Sequence, residues 1–206
     1  MRVPGPGLNG MDDPFLPAGL VAFVVVAVAT PGPLQFLLAT LGAQGAARAG
    51  GAILAGGALS YAAIYATGGA GARRLAETYP GVFSAFQIAG AVLMVWLAWR
   101  IATAPMGAGR GMSRRGFVQG FGISALNPRA WAGAMTVGVA FCDPNADVFD
   151  HAVTFGGVAL AAMVAICGAW LVGGTLLERV LARPAVFRAF SVSAAAVLVL
   201  SVARTF

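Results

Sequence analysis

The tetrapeptide Thr30-Pro31-Gly32-Pro33 interrupts an apolar run from Leu16 to Leu41, and Asn127-Pro128-Arg129 interrupts a second run from Phe117 to Phe141. Each interruption falls near the middle of a stretch long enough to cross a bilayer as a helix. Proline lacks a backbone N–H and clashes with the preceding helical turn. In hydrocarbon, the backbone groups freed by such a break must find partners, so it persists only where it is buried or lines a cavity. Two matched breaks therefore indicate a transporter's binding site.

The composition places the chain in a membrane. Of 206 residues, 59% are apolar and 10% are charged, and the mean hydropathy is +0.85. A soluble domain would carry roughly a quarter charged residues. The net charge is +6, but the 13 basic residues, all arginine, are scattered over short loops beside apolar runs. This distribution favours topology signals over nucleic-acid binding.

Six apolar segments are predicted to span the membrane, and the first and fourth are broken at proline. We expect an all-α membrane protein with a disordered segment over residues 1–14 and one transmembrane domain over 15–206. Its halves, about 15–104 and 117–206, are joined by a linker over 105–116. Because three spans per half would insert in opposite directions, the pattern predicts a 3+3 inverted repeat. The spans are Leu16–Leu41, Gly50–Gly71, Val82–Ala104, Phe117–Phe141, Val153–Gly174 and Ala185–Val202.

The arginine distribution predicts the orientation of the spans. Eight arginines flank loops 1–2, 3–4 and 5–6, and four lie on the other side. The richer side is expected to be cytoplasmic, so both termini are predicted to be external. The first group is Arg48, Arg100, Arg110, Arg114, Arg115, Arg179, Arg183 and Arg188, and the second is Arg2, Arg73, Arg74 and Arg204.

The two breaks predict a site for a zwitterion. The half-helix after each break begins with free N–H groups and a positive dipole end, which favour a carboxylate. The half-helices before the breaks end near Ala29 and Leu126 and leave free carbonyls, which suit an ammonium group. If the first and fourth spans run in opposite directions, these ends converge near the bilayer midplane.

A charged residue inside a span sharpens this interpretation. A charge at a span centre is costly unless it is paired or hydrated, so Arg129 is expected to face a polar cavity. Its guanidinium is suited to clasp a carboxylate bidentately, or alternatively to pair with a helix C-terminus as a structural plug. Asn127 either caps the following half-helix or contacts substrate, and the same choice applies to Thr30. Gln35 and Tyr61 are candidate substrate contacts or helix–helix hydrogen bonders.

The sequence predicts no catalytic residue, no metal site and no cofactor. Glu77, Asp143, Asp147, Asp150 and His151 all lie at or beyond the predicted span ends. Proton coupling, which usually uses an intramembrane carboxylate or histidine, therefore has no clear residue, and His151 is only a candidate. Cys142 and Cys167 are interpreted as small buried residues, since they lack CxxC spacing.

At the two breaks the chain resembles the LysE/RhtB family of amino-acid exporters. The family carries a Thr-Pro-Gly-Pro motif in its first span, here Thr30-Pro31-Gly32-Pro33, and an Asn-Pro-Lys motif in its fourth, here Asn127-Pro128-Arg129. Arg129 replaces the usual lysine, and Leu34 stands where an asparagine is usual, so the chain is expected to be a divergent member. The resemblance implies a bacterial inner-membrane exporter driven by an ion gradient, usually of protons.

These observations predict a secondary-active exporter of a small zwitterion, an amino acid or a derivative, and not an enzyme. The expected partners are that solute, the lipid bilayer, a coupling proton and, through small-residue helix faces, a second copy in a homodimer. The alternatives are a membrane thiol-redox or electron-relay protein of similar six-span architecture, and a metal-ion exporter. Lack of CxxC spacing disfavours the first, and lack of His, Cys or carboxylate clusters in the spans disfavours the second.

Overall fold

The protein is described from a computed structural model over residues 15–68, 78–103, 113–142, 147–177 and 183–203. Within these ranges it is almost entirely helical and has no strand. The helices are α1 (Phe15–Ala29), α2 (Pro33–Ala43), α3 (Ala47–Ala66), α4 (Pro80–Thr103), α5 (Ser113–Ala125), α6 (Pro128–Phe141), α7 (Val148–Leu176) and α8 (Pro184–Ala203).

Two of these helices, α3 and α7, are long and apolar enough to cross a membrane. The pair α1 and α2 makes a third candidate span if it is counted as one, because its halves are separated by a short break and bent by 59°. The predicted fourth span is divided between α5 and α6, and the third and sixth fall on α4 and α8. Six membrane crossings and the inverted repeat remain predictions.

Helices α3 and α7 form the centre of the molecule. α3 packs against α5 and α7, α2 packs against α7, and α4 packs against α8. Glycine allows these close approaches: Gly120 of α5 lies against the backbone of Ile53, and Gly174 of α7 lies against the backbone of Ala39. In a membrane, where lipid is as apolar as leucine, such close backbone packing contributes much of the attraction between helices.

Helix ends differ from the predicted span ends for local reasons. α3 ends at Ala66 because Gly68 adopts φ +67°, the left-handed conformation that terminates helices. α7 begins at Val148 rather than near Val153, because the Asp147 carboxylate accepts a hydrogen bond from the Phe149 N–H at 2.7 Å.

The helical limits also change the placement of several residues. His151, which is predicted at or beyond a span end, lies in the first turn of α7 and is buried. α5 begins at Ser113, inside the predicted linker 105–116, of which residues 105–112 lie outside the described ranges, as does the predicted disordered segment 1–14. Cys142 is exposed at the end of α6, so its interpretation as a buried residue is wrong, whereas Cys167 is buried as expected.

Candidate functional site

The first break separates α1 from α2 through an extended Gly32. This residue is the N-cap of α2 with φ −143° and ψ −177°, and Pro33 follows at the first helical position, where its missing N–H costs nothing. On the α1 side, the Thr30 hydroxyl donates to the Val26 carbonyl at 2.8 Å. Thr30 thus bonds within α1 and makes no cap for α2.

Gln35 of α2 makes a hydrogen bond across the first break to α1. Its Nε2 donates to the Val28 carbonyl of α1 at 2.7 Å, and the side chain is buried. This bond satisfies a carbonyl that a continuous helix would have paired with the N–H of Gly32. A Cβ on Gly32 would lie 3.1 Å from Gln35 Oε1, so the carboxamide fills the space beside the break.

The start of α2 is buried but carries no side-chain cap. Pro33, Leu34 and Gln35 are buried, and the N-cap residue, Gly32, has no side chain that could bond the first N–H groups of the helix. A buried helix start without a capping side chain is uncommon because its N–H groups require partners. This end of α2 therefore retains the anion-attracting character expected from the sequence.

The second break is capped. Asn127 accepts a hydrogen bond from the Arg129 N–H at its side-chain oxygen, at 3.1 Å, and Pro128 occupies the first position of α6. Of the two roles expected for Asn127, the structure therefore shows the capping role. Trp131 reaches back across the break, and its indole Nε1 donates to the Ala125 carbonyl of α5 at 2.8 Å. Each break thus carries a bond from the second half-helix to a carbonyl of the first.

Arg129 joins the two breaks. From the first turn of α6 its Nη2 donates to the Ala27 carbonyl at 3.1 Å, and its Nη1 donates to the Thr30 carbonyl at 3.2 Å. Both acceptors lie at the C-terminal, negative end of α1, where a cation is stabilised. The carbonyls expected to be free near Ala29 are thus held by Arg129, and this matches the structural-plug alternative for its side chain.

An aromatic pair lies near this junction. Tyr61 and Tyr65 of α3 stack with their ring centroids 5.0 Å apart, and Arg129 is within electrostatic reach of both hydroxyls. The Tyr65 ring is fully buried, and within the described residues its hydroxyl has no hydrogen-bond partner apart from the neighbouring Tyr61 hydroxyl. That hydroxyl lies against Gly133 of α6, where a Cβ would collide with it.

The structure brings together most of the residues predicted for the site. Thr30, Pro31, Gly32, Pro33 and Gln35 form the first break, and Asn127, Pro128 and Arg129 form the second. Tyr61 lies on the neighbouring α3. Sequence reasoning missed the contributions of Trp131 and of the Ala27 carbonyl, because neither has a local signal.

The remaining features lie away from the breaks. An apolar groove of about 500 Å³ lies between α2, α7 and α8, beside Ala39, Trp170, Gly174 and Phe190. Across the described part of the chain, no three His, Cys, Asp or Glu side chains come together as a metal site would require. A Cβ on Gly90 of α4 would collide with the Leu126 carbonyl and would lie 3.0 Å from Pro128 Cδ, so α4 covers the second break.

The chain is similar to curated bacterial efflux proteins. The cysteine/O-acetylserine efflux proteins of Salmonella choleraesuis (strain SC-B67), Salmonella typhimurium (strain LT2) and Salmonella typhi are each 25% identical to it over 169 residues. The alignment covers 81% of this chain and 86% of each relative. No family model and no solved structure matches the chain. These relatives confirm the resemblance to the LysE/RhtB family of amino-acid exporters, at a divergent distance.

Proposed function

We propose that the protein is a secondary-active exporter of a small zwitterion, an amino acid or a derivative such as cysteine or O-acetylserine, in a bacterial inner membrane. One observation carries the proposal: Arg129 of the second break is bonded to the Ala27 and Thr30 carbonyls of the first. Two interruptions about a hundred residues apart in sequence thus form one polar junction among apolar helices. The names of the similar proteins give the substrate class its support.

The junction offers groups of both signs to a zwitterion. The uncapped start of α2 favours a carboxylate. The Arg129 guanidinium does so too, since its fork matches carboxylate geometry. The carbonyls at the end of α1 suit an ammonium group, and the stacked Tyr61–Tyr65 pair lies beside them on α3. We place the substrate between the breaks, in contact with Thr30–Pro33, Gln35, Tyr61 and Asn127–Arg129.

The packing supports a six-span inverted repeat. Such a repeat exchanges spans 1 with 4, 2 with 5 and 3 with 6, and most of the helix contacts have a counterpart under this exchange, the α2–α3 and α2–α4 contacts excepted. α3 contacts both halves of the fourth span, and α7 contacts both halves of the first. The α3–α7 contact and the α4–α8 contact each map onto themselves when the halves are exchanged. The α4–α6 contact maps onto the α8–α2 contact.

Rocking of one half against the other would move the site between the two faces of the membrane. We propose external termini from the arginine distribution, a proton as coupling ion from the family resemblance, and a homodimer through small-residue faces. Each of these rests on sequence. Catalysis and a cofactor form no part of the proposal.

Transport by purified protein tests the proposal. Proteoliposomes containing the protein are loaded with radiolabelled cysteine or O-acetylserine, and release is followed with and without an imposed pH gradient. We expect release to exceed that from empty liposomes and to respond to the gradient. A Cys142→Ser/Cys167→Ser variant should transport at the parental rate, because neither thiol lies at a break. If neither these two solutes nor any of the common amino acids is released, the exporter proposal is wrong.

A further inference from the structure

The Arg129 side chain occupies acceptors that suit a substrate. Its guanidinium donates to the Ala27 and Thr30 carbonyls of α1, and within the described ranges no carboxylate forms an ion pair with it. Its contact with Ala27 is part-buried, whereas its contact with Thr30 is exposed.

The charge of Arg129 is poorly placed with respect to its own helix. Arg129 is the second residue of α6, and a cation near a helix N-terminus opposes the helix dipole. Its bonds to the negative end of α1 offset that cost. An anion at the guanidinium would offset it equally well, and it would also be attracted by the N-terminal end of α6.

We propose that substrate binding is an exchange of partners at this contact; the inference rests on the proposed export of a zwitterion. The ammonium group of the substrate takes the Ala27 and Thr30 carbonyls, and the released guanidinium takes the substrate carboxylate. No covalent bond is made or broken. The guanidinium has hydrogen-bond acceptors before and after the exchange, and the carbonyls have donors before and after it. Arg129 is then both the cap of α1 in the empty protein and the carboxylate ligand in the loaded one.

The exchange imposes a specificity rule. An amine without a carboxylate must displace Arg129 from α1 and leaves the guanidinium without an anion. A carboxylate without an amine draws the guanidinium away and leaves two helix-terminal carbonyls bare. Only a molecule that carries both groups supplies every replacement, so the site selects zwitterions over either single ion. A purely structural Arg129 imposes no such rule.

Three ligands that differ only in these groups test the rule. They are cysteine, cysteamine, which lacks the carboxylate, and 3-mercaptopropionate, which lacks the ammonium group. Binding is measured by titration calorimetry on the purified full-length protein at pH 7 under reducing conditions. Because a hydrogen bond to a charged group is worth roughly ten- to a hundredfold in affinity, we expect each single ion to bind weaker than cysteine by about that factor.

Substitution of Arg129 separates exchange from a structural role. Arg129→Met removes all donors but keeps an unbranched side chain, so the carbonyls of α1 are exposed permanently. We expect cysteine to bind roughly ten- to a hundredfold more weakly than it does to the parent. Cysteamine should bind more tightly than it does to the parent, because the guanidinium no longer competes with it for the α1 carbonyls. Arg129→Lys keeps a cation near the carbonyls and should leave cysteamine weak. Arg115→Met, at an exposed arginine of α5, is the matched control and should change none of the three.

Two results would overturn the exchange. One is cysteamine binding to the parent as tightly as cysteine does, which needs no variant to fold. The other is cysteamine binding no more tightly to folded Arg129→Met than to the parent. If proteoliposomes still export cysteine in either case, the exporter proposal stands and only the exchange is wrong. If the parent neither binds nor exports cysteine, O-acetylserine or any of the common amino acids, both proposals fail together.

Discussion

A methyl group added at Gly174 should loosen the α2–α7 contact that supports the first break. A Cβ at this position would lie 2.9 Å from the Ala39 carbonyl carbon and Cα, and closer still to the Ala39 oxygen. Carbon atoms prefer separations of about 3.5–4.0 Å, and Ala39 presents rigid backbone rather than a flexible side chain. The two helices must therefore separate.

The expected size of the effect follows from two opposing terms. Overpacking of a tight contact costs about 1–3 kcal/mol. Replacing glycine by alanine inside a helix returns about 1 kcal/mol through helix propensity. Gly174→Ala should therefore lower the free energy of unfolding by up to about 2 kcal/mol, whereas the propensity term alone would raise it.

The neighbouring residue provides the control. A Cβ on Gly173 would meet nothing within 4 Å, so Gly173→Ala gains propensity without a clash and should be neutral or slightly stabilising. Unfolding of the purified variants is followed by circular dichroism in mixed micelles of increasing denaturing-detergent fraction. If the two variants unfold within about 0.5 kcal/mol of each other, the close α2–α7 approach is not a source of stability and the reasoning fails.

Three further outcomes are expected. Cys142 is exposed at the end of α6 and predicted to be external, so it should react with an impermeant maleimide in intact spheroplasts. Labelling only after permeabilisation would show that the predicted orientation is wrong. Asn127→Ala should destabilise the protein by about 1 kcal/mol through loss of the α6 cap, whereas Asn127→Asp should retain it; equal unfolding of the two in micelles would contradict the capping role. Gln35→Leu should leave the buried Val28 carbonyl unpaired and cost about 1–3 kcal/mol, and unchanged unfolding would show that this bond is dispensable.

The sequence predicts the breaks because their causes are local. Pro31, Pro33 and Pro128 cannot continue a helix from the preceding turn, and each acts within a few residues of its own position. The cap at Asn127 is similarly local, since its side chain bonds the N–H two residues later. Element ends defined by proline or a capping side chain are therefore the parts of this fold that can be deduced without coordinates.

The partners across the site could not be predicted in this way. Arg129 donates to carbonyls 99 and 102 residues earlier in the chain. Every residue has a backbone carbonyl, so the sequence does not mark which of them will accept this bond. The exposure of Cys142 and the close approach of Gly174 to the Ala39 backbone likewise depend on which helix packs nearby. The sequence indicates that a charge needs a partner, but only packing selects the C-terminus of α1 as that partner.

The Arg129 contact also bears on how a substrate would drive transport. In the proposed mechanism, movement of the two halves against each other would release the guanidinium from α1, and two charge-assisted hydrogen bonds are worth about 1.5–3 kcal/mol each. A ligand shifts a conformational equilibrium only by its difference in affinity for the two states. A zwitterion that replaces both sets of partners removes this cost, whereas an empty site does not. On this argument the contact that stabilises the empty protein would also oppose uncoupled movement of the empty carrier, so that the substrate-free return step would need the coupling ion to offset it.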